Sequence, residues 1–378
     1  MNAAPKIIET QITLNPSNQY APAIYGNRIV WEDYRNGNWD IYMQDLATKK
    51  QMHTTNLSDQ YDPDIYGNRV VYEDQRNGNS DIYMYDLSTN KETQITLNQS
   101  NQYAPATYGN RIVWEDYRNG NWDIYIQDLA TRKQTHTTNL SDQYDPDIYG
   151  NRVVYTDGRN GNFDIYMYDL STSKEKRITT GGSNHYYPNI HGDKIVYMDD
   201  RNGNYDIYMY DLSTSKEKRI TTNPSTSYRP VIYGNRIAWF DDRNGNWDIY
   251  VYDLATHQES HTTDGSYQWS PAIYGDKIVW TDDRNGNTDI YMGTLVYPPV
   301  AAFTASPLSG KAPLSVKFKD KSTGSPTSRS WNFGDNSSST AKNPIHKYIK
   351  AGKYTVSLKV TNAADNNTVT KSDYITVK

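Results

Sequence analysis

The chain has 378 residues, 22 % of them charged and 36 % hydrophobic, with a formal net charge of −5. It holds no run of about 18 apolar residues, which excludes a membrane-spanning helix. It holds no cysteine, which excludes disulfides and thiolate metal sites. The apolar load sits on 35 Tyr and 9 Trp, β-forming residues with a polar handle that suit sheets with wet edges. The start, Met1-Asn-Ala-Ala-Pro-Lys6, has no apolar signal segment. Either the protein is cytoplasmic or the chain is a mature or trimmed form.

Residues 6–13 read as one isolated strand. A hairpin then follows in Tyr25–Tyr42, where two β-rich runs flank Asn36-Gly37. Asn-Gly in that setting predicts a type I′ turn, with φ > 0 at both central residues. The quartet Arg-Asn-Gly-Asn begins at Arg35, Arg76, Arg118, Arg159, Arg201, Arg243 and Arg284, at spacings of 41 or 42 residues. A fixed period of that size sets the whole fold. Each full repeat predicts four strands, in repeat 1 roughly Pro22–Tyr25, Arg28–Tyr34, Trp39–Leu46 and Lys50–Thr55. The first is expected to open just after a proline (Pro22, Pro63, Pro105, Pro146, Pro188, Pro230, Pro271), where a missing N–H costs nothing. Repeat 7 supplies only three strands, ending at Asp289–Leu295, and the orphan strand at 6–13 is the expected fourth. The predicted fold is all-β: a seven-bladed propeller over 1–297, closed by its N-terminal strand. Residues 10–92 and 93–175 differ at nine positions, so a two-blade unit has been duplicated.

Pro298-Pro299 begins a linker. Residues 298–378 alternate as strands around Gly, Ser and Asn turns, which predicts a small β-sandwich. This region carries 12 Lys and Arg against 4 Asp, a net of +8. That leaves 27 against 40 in residues 1–297, a net of −13. An acidic body and a basic tail should meet different partners. The lysines of the tail, Lys317 and Lys319 among them, are expected on a solvated face or as an attraction for an anionic surface polymer.

The repeat Pro22, Gly26, Ile29, Trp31, Arg35, Gly37 and Asp40-Ile-Tyr42 resembles those of TolB-type propellers. Gly310-Lys-Ala-Pro-Leu-Ser-Val316, Trp331-Asn-Phe-Gly-Asp335, His346, Tyr348 and Gly352–Val356 resemble a PKD domain, which is Ig-like. Asn332 and Asn336 depart from that family's usual Asp and Gly and bear on one turn. Together the two resemble surface proteins of methanogenic archaea, including the surface-layer-associated kind. The resemblance implies secretion, an extracellular place and an adhesive or architectural role. TolB-type propellers also include translocation scaffolds, lyases and regulatory parts of peptidases, so fold alone does not choose among them.

Two sets of residues carry candidate chemistry. In the hairpin, Asp33 should face Asp40, a pairing that recurs in all seven repeats. Opposed carboxylates are either a Ca²⁺ site per blade or are neutralised by Arg35 and backbone amides. Seven copies favour architecture, and no catalytic residue is assigned. Beside the hairpin, Tyr34, Trp39, Tyr117, Trp122 and Trp247 offer aromatic faces that stack on sugars or peptides. At the start of the inner strands the repeats diverge, and Asp62, Asp64, Asp145, Asp147, Asn189, Arg229 and Trp269 are expected at the mouth of the central channel. The histidines do not converge, and no nucleophile elbow, P-loop or nucleic-acid motif is present. The expected function is non-enzymatic binding, with the propeller face recognising surface glycans or surface-layer proteins and the PKD domain as spacer. The competing expectation is a carbohydrate-active lyase or hydrolase working at the channel mouth.

Overall fold

The structure, a computed structural model, describes residues 4–378. It divides into two compact units, Glu9–Gly293 and a second that comprises residues 294–378 with the chain as far as Ile8. Among the described residues no helix occurs, so none is long and apolar enough to cross a membrane.

Seven four-stranded antiparallel sheets form the propeller. Blade 1 consists of Gln19–Tyr25, Arg28–Asp33, Asp40–Asp45 and Gln51–His53. The first strands of successive blades touch one another around the ring. The second strands are buried almost throughout, because both of their faces are covered by neighbouring blades. Their apolar residues, such as Ile29, Val30 and Trp31, make the inter-blade cores. Each first strand is also tied to the previous hairpin by a backbone bond, for example Gln60 N–H to Trp39 O at 2.8 Å. The same bond crosses from the last blade to the first, Gln19 N–H to Thr288 O at 2.9 Å.

The seventh sheet is completed by Lys6–Gln11 against Asp289–Val296. Just beyond that strand, Ile12 N–H reaches Ile290 O at 2.8 Å. Thr13 Oγ1 donates to Asp289 at 3.0 Å and accepts from Ile290 N–H at 2.9 Å. Glu9 pairs with Arg284 at 2.8 Å. Thr96, with Asp81 and Ile82, makes the same bonds inside blade 2, so the borrowed strand reproduces an ordinary blade edge.

The hairpin departs from the expected type I′ turn. Gly37 has φ 93°, but Asn36 does not adopt positive φ. The turn runs over Tyr34–Gly37 and is closed by Gly37 N–H to Tyr34 O. The reason lies in the Asn36 side chain, which folds back and donates to Asp40 at 2.7 Å and to Tyr42 Oη at 2.9 Å. Asp33 does face Asp40, and both are buried. Arg35 bonds Asp33 and lies 4.0 Å over the Tyr42 ring, while Asn36 and Asn38 bond Asp40. Against the penalty of burial, bonds from their partners hold Asp199 and Asp241 down to about 2. The quartet is thus a device that neutralises two buried carboxylates. Asn119→Ala, which leaves Asp123 and Tyr125 short of a donor, is expected to cost about 1–3 kcal/mol in a urea melt.

The prolines also differ from expectation. They lie inside the first strands, three residues after the start, because each strand carries a β-bulge there. In blade 1 the register shifts between Tyr20 and Ala23. The bulge removes the ladder bond that proline cannot make.

The second unit is a sandwich. Phe303–Ser306, Leu314–Asp320 and Ile345–Tyr348 form one sheet, and a five-stranded sheet centred on Gly352–Thr361 forms the other. Trp331, Phe318, Tyr348 and Leu358 fill the space between them. Asn336 sits at φ 69°, a left-handed position that Asn tolerates. Asn332 caps the same turn by accepting from Gly334 N–H. His346 stacks on Phe333 at 4.3 Å and bonds Asp335 at 2.7 Å.

Candidate functional site

The bulge places one residue per blade immediately before proline in the left-handed region. These are Ala21, Asp62, Ala104, Asp145, Tyr187, Arg229 and Ser270, with φ between 45° and 52°. Together with the prolines and the residues after them they line a cavity of about 360 Å³ at the channel mouth. Six of the seven residues expected there lie in that lining: Asp62, Asp64, Asp145, Asp147, Asn189 and Arg229. Trp269 does not, and packs instead beside Tyr20 at 6.4 Å.

The six differ in what they are free to do. Asp64 and Asp147 each accept the backbone N–H of the next inner strand, Thr107 and Ile190, at 2.7 Å. Asn189 accepts from Ile232 N–H at 2.8 Å. These three side chains brace the ring. Asp62 shares a hydrogen bond with the Glu73 carboxyl and Asp145 accepts from Tyr187 N–H; both line the cavity, where Arg229 stacks its guanidinium 4.8 Å over Tyr187. Among the described residues Arg229 makes no ion pair within 4 Å, yet its charge reaches both aspartates. Asp62 meets water across the mouth and is walled by protein elsewhere, so enclosure still acts on its charge. It raises Asp62, and lifts Asp145 to about 6 despite Arg229.

Behind the mouth stands a second set that the sequence reading missed. Glu32, Glu73 and Glu115 accept the bulge N–H of Asp62, Ala104 and Asp145 in the next blade, at 2.7–2.8 Å. Burial, then the nearby aspartates, push them to about 8, 9 and 8. Their signal in the sequence was a glutamate before the repeated aspartate, which had no visible partner until the blades were assembled.

At the other end of the inner strands, Tyr25, Tyr66, Tyr108, Tyr149, His191, Tyr233 and Tyr274 form a closed collar with centroids 4.5–4.8 Å apart. Seven points at that spacing lie on a circle of radius about 5 Å, which half a ring's thickness reduces further. Neighbouring hydroxyls interact, and with burial as the larger cause they push Tyr25 and Tyr233 up to about 12. Burial lowers His191, whose Nδ1 accepts from Gly234 N–H. The signal here was readable: an aromatic residue before each Gly of the inner turn.

The hairpin aromatics flank the mouth. Trp39 packs on Tyr20, Tyr34 and Tyr61, with centroids 5.0–6.4 Å apart. Trp122 packs on Tyr103 and Tyr117 at 5.4 and 5.0 Å. A run Tyr144, Phe163, Tyr186, Tyr205, Tyr228 and Trp247 continues across blades 4 to 6. Tyr34, Tyr117 and Trp247 are 45 %, 47 % and 37 % exposed, whereas Trp39 and Trp122 are half-buried. The belt is interrupted at Ser80 and Thr288. The two expected sets therefore share one face of the ring.

Of the histidines, His53, His136 and His261 stack on blade tyrosines, and His185 is buried against Asp199 at 3.0 Å. Among the described residues no group of three or more His, Asp or Glu is placed to hold a metal ion.

Residues 106–274 match the family model of the TolB β-propeller domain, and residues 297–377 match that of the PKD domain. Similar solved structures include an oligogalacturonate lyase from Vibrio parahaemolyticus, 13 % identical with a TM-score of 0.58 over 78 % of this chain and 98 % of that one. The β-propeller domain of the Trilobed protease from Pyrococcus furiosus is 12 % identical, with a TM-score of 0.60 over 74 % and 97 %. The Pyrococcus horikoshii acylaminoacyl peptidase is 11 % identical, with a TM-score of 0.59 over 80 % of this chain and 57 % of that one. At such identities the likeness is one of fold.

Proposed function

We propose that this chain, a TolB-type β-propeller followed by a C-terminal PKD domain, is a non-enzymatic binding protein of the cell exterior. The hairpin face recognises surface glycans or surface-layer proteins, and the PKD domain acts as spacer or attachment module. One observation carries the reading: the aromatic belt and the cavity at the channel mouth lie on the same face. Aromatic faces that stack around a polar depression suit ligands with alternating C–H and O–H surface. For the PKD domain, Lys317 and Lys319 extend outward from one strand and Lys347 from its neighbour. Such a face favours an anionic support.

A second reading has one observation of its own. Carboxyl groups raised into the range of a general acid stand at the mouth, Asp145 at about 6, and behind it, Glu115 at about 8. A glycan lyase or hydrolase would use such groups. A glycan-array screen with product analysis of every hit separates the two, since bond cleavage overturns the first reading. With binding alone, Trp39→Ala and Trp122→Ala are expected to weaken the hits about tenfold, with the melting temperature recorded alongside.

A further inference from the structure

Asp62, Asp145 and Arg229 also line the mouth: Asp62 is hydrogen-bonded to the Glu73 carboxyl and Asp145 accepts from Tyr187 N–H, while among the described residues Arg229 has no carboxylate partner within 4 Å. Their arrangement is unusual in sign. A guanidinium stacked on Tyr187 shares one small cavity with two carboxylates and pairs with neither. A ligand that fills this gap must serve both kinds of group. An ammonium donates to the carboxylates but cannot accept from Arg229. A carboxylate accepts from Arg229 but cannot donate to the aspartates. A hydroxyl does both, and a vicinal pair of hydroxyls spans from one group to the other without bringing charge of either sign.

The cavity size agrees. At about 360 Å³ it lies near the small end of ligand pockets, roughly 300–1,000 Å³, which suits one or two sugar units. Tyr187 and the ring of prolines supply an apolar wall for the C–H face. The aromatic collar narrows the far end of the channel, and the mouth opens on the hairpin side.

We infer that the channel mouth binds the uncharged terminal unit of a glycan, with Asp62 and Asp145 accepting from its hydroxyls, Arg229 donating to them, and Tyr187 stacking on its face. This rests on the platform reading above and names its ligand class.

The test uses the full chain on an array of defined oligosaccharides, with the variants Asp62→Ala plus Asp145→Ala, and Arg229→Ala. Alanine already holds the same backbone angle at Ala21 and Ala104, φ 46° and 49°, so these variants preserve the bulge. The expected result is a set of hits that share one neutral terminal unit, weakened at least tenfold by either variant at unchanged melting temperature. Hits that depend on Trp39 and Trp122 but not on the mouth variants would overturn this inference and leave the platform reading standing. Hits whose terminal unit is a uronate or an amino sugar would also overturn it. Binding of peptides with no glycan bound would remove the glycan assignment altogether.

Discussion

Removal of the chain through Thr13 is expected to lower the melting temperature of the propeller by roughly 8 °C. The deletion strips the edge strand from the seventh sheet and takes Ile12, which is 9 % exposed, out of an inter-blade core. Burial of such a side chain contributes about 1.5–3 kcal/mol. The deletion also deprives Asp289, 2 % exposed, of its bonds from Thr13 and Gln11. A buried charged acceptor left short of donors costs about 1–3 kcal/mol or more. The loss of Ile290 N–H to Thr13 Oγ1 and of the Glu9–Arg284 pair adds to this. At about 2.1 cal/mol/K per residue, a total near 5 kcal/mol corresponds to roughly 8 °C for a domain of this size. Calorimetry of the deletion beside Ile12→Ala checks it. An unchanged melting temperature in the deletion would show that the ring does not depend on this strand.

The second large effect concerns pH. Glu32 and Glu115 at about 8 and Glu73 at about 9 stand far above an ordinary glutamate at 4.5. A carboxyl with a raised folded-state pKa binds protons more tightly in the folded protein. Its contribution is therefore complete below about 4.5 and is lost as pH climbs through 8 or 9. Asp147, raised to about 7 by burial, works in the same direction. Asp199 and Asp241, held at about 2, act oppositely. Their contribution is present above the ordinary carboxylate range and is lost as pH falls toward 2. The two windows place maximal stability near pH 4, with a decline of several kcal/mol by pH 9. Melting curves from pH 3 to 9 check this. The triple variant Glu32→Gln, Glu73→Gln and Glu115→Gln keeps an acceptor for each bulge N–H and should flatten only the alkaline side. A triple variant that declines as steeply as the parent would remove the three glutamates as the cause.

Much of the architecture was legible because the period is physical. A quartet every 41 or 42 residues, with one strand missing at the end and one spare at the start, leaves a closed ring as the simplest arrangement. The two misread details have a common origin. Asn36-Gly37 was read by backbone preference alone, and Pro22 by its missing N–H alone. In the folded ring, the Asn36 side chain is needed at Asp40, and a bulge relieves the proline within the strand. The mouth was partly legible. The divergence of residues 62, 64, 145, 147, 189 and 229 between repeats marked positions that line the channel mouth. What stayed hidden was which side chains brace the next blade, because Thr107, Ile190 and Ile232, which occupy the braces, belong to neighbouring blades. The Glu32, Glu73 and Glu115 set was hidden for the same reason.

The seven bulges have a consequence beyond binding. Ala, Asp, Tyr, Arg and Ser all occupy the position before proline, and all hold φ within 45–52°. Each sits where a side chain other than glycine costs roughly 1–2 kcal/mol, and proline fixes the backbone that follows. The conformation is thus set by the ring and not by the residue it carries. The rim can be rewritten one side chain at a time without remodelling a loop, so changes of specificity are open to this scaffold by single substitutions. A glycine at any of the seven would relax the strain and remove the only group that position presents. A gain in stability there would be paid for directly in recognition.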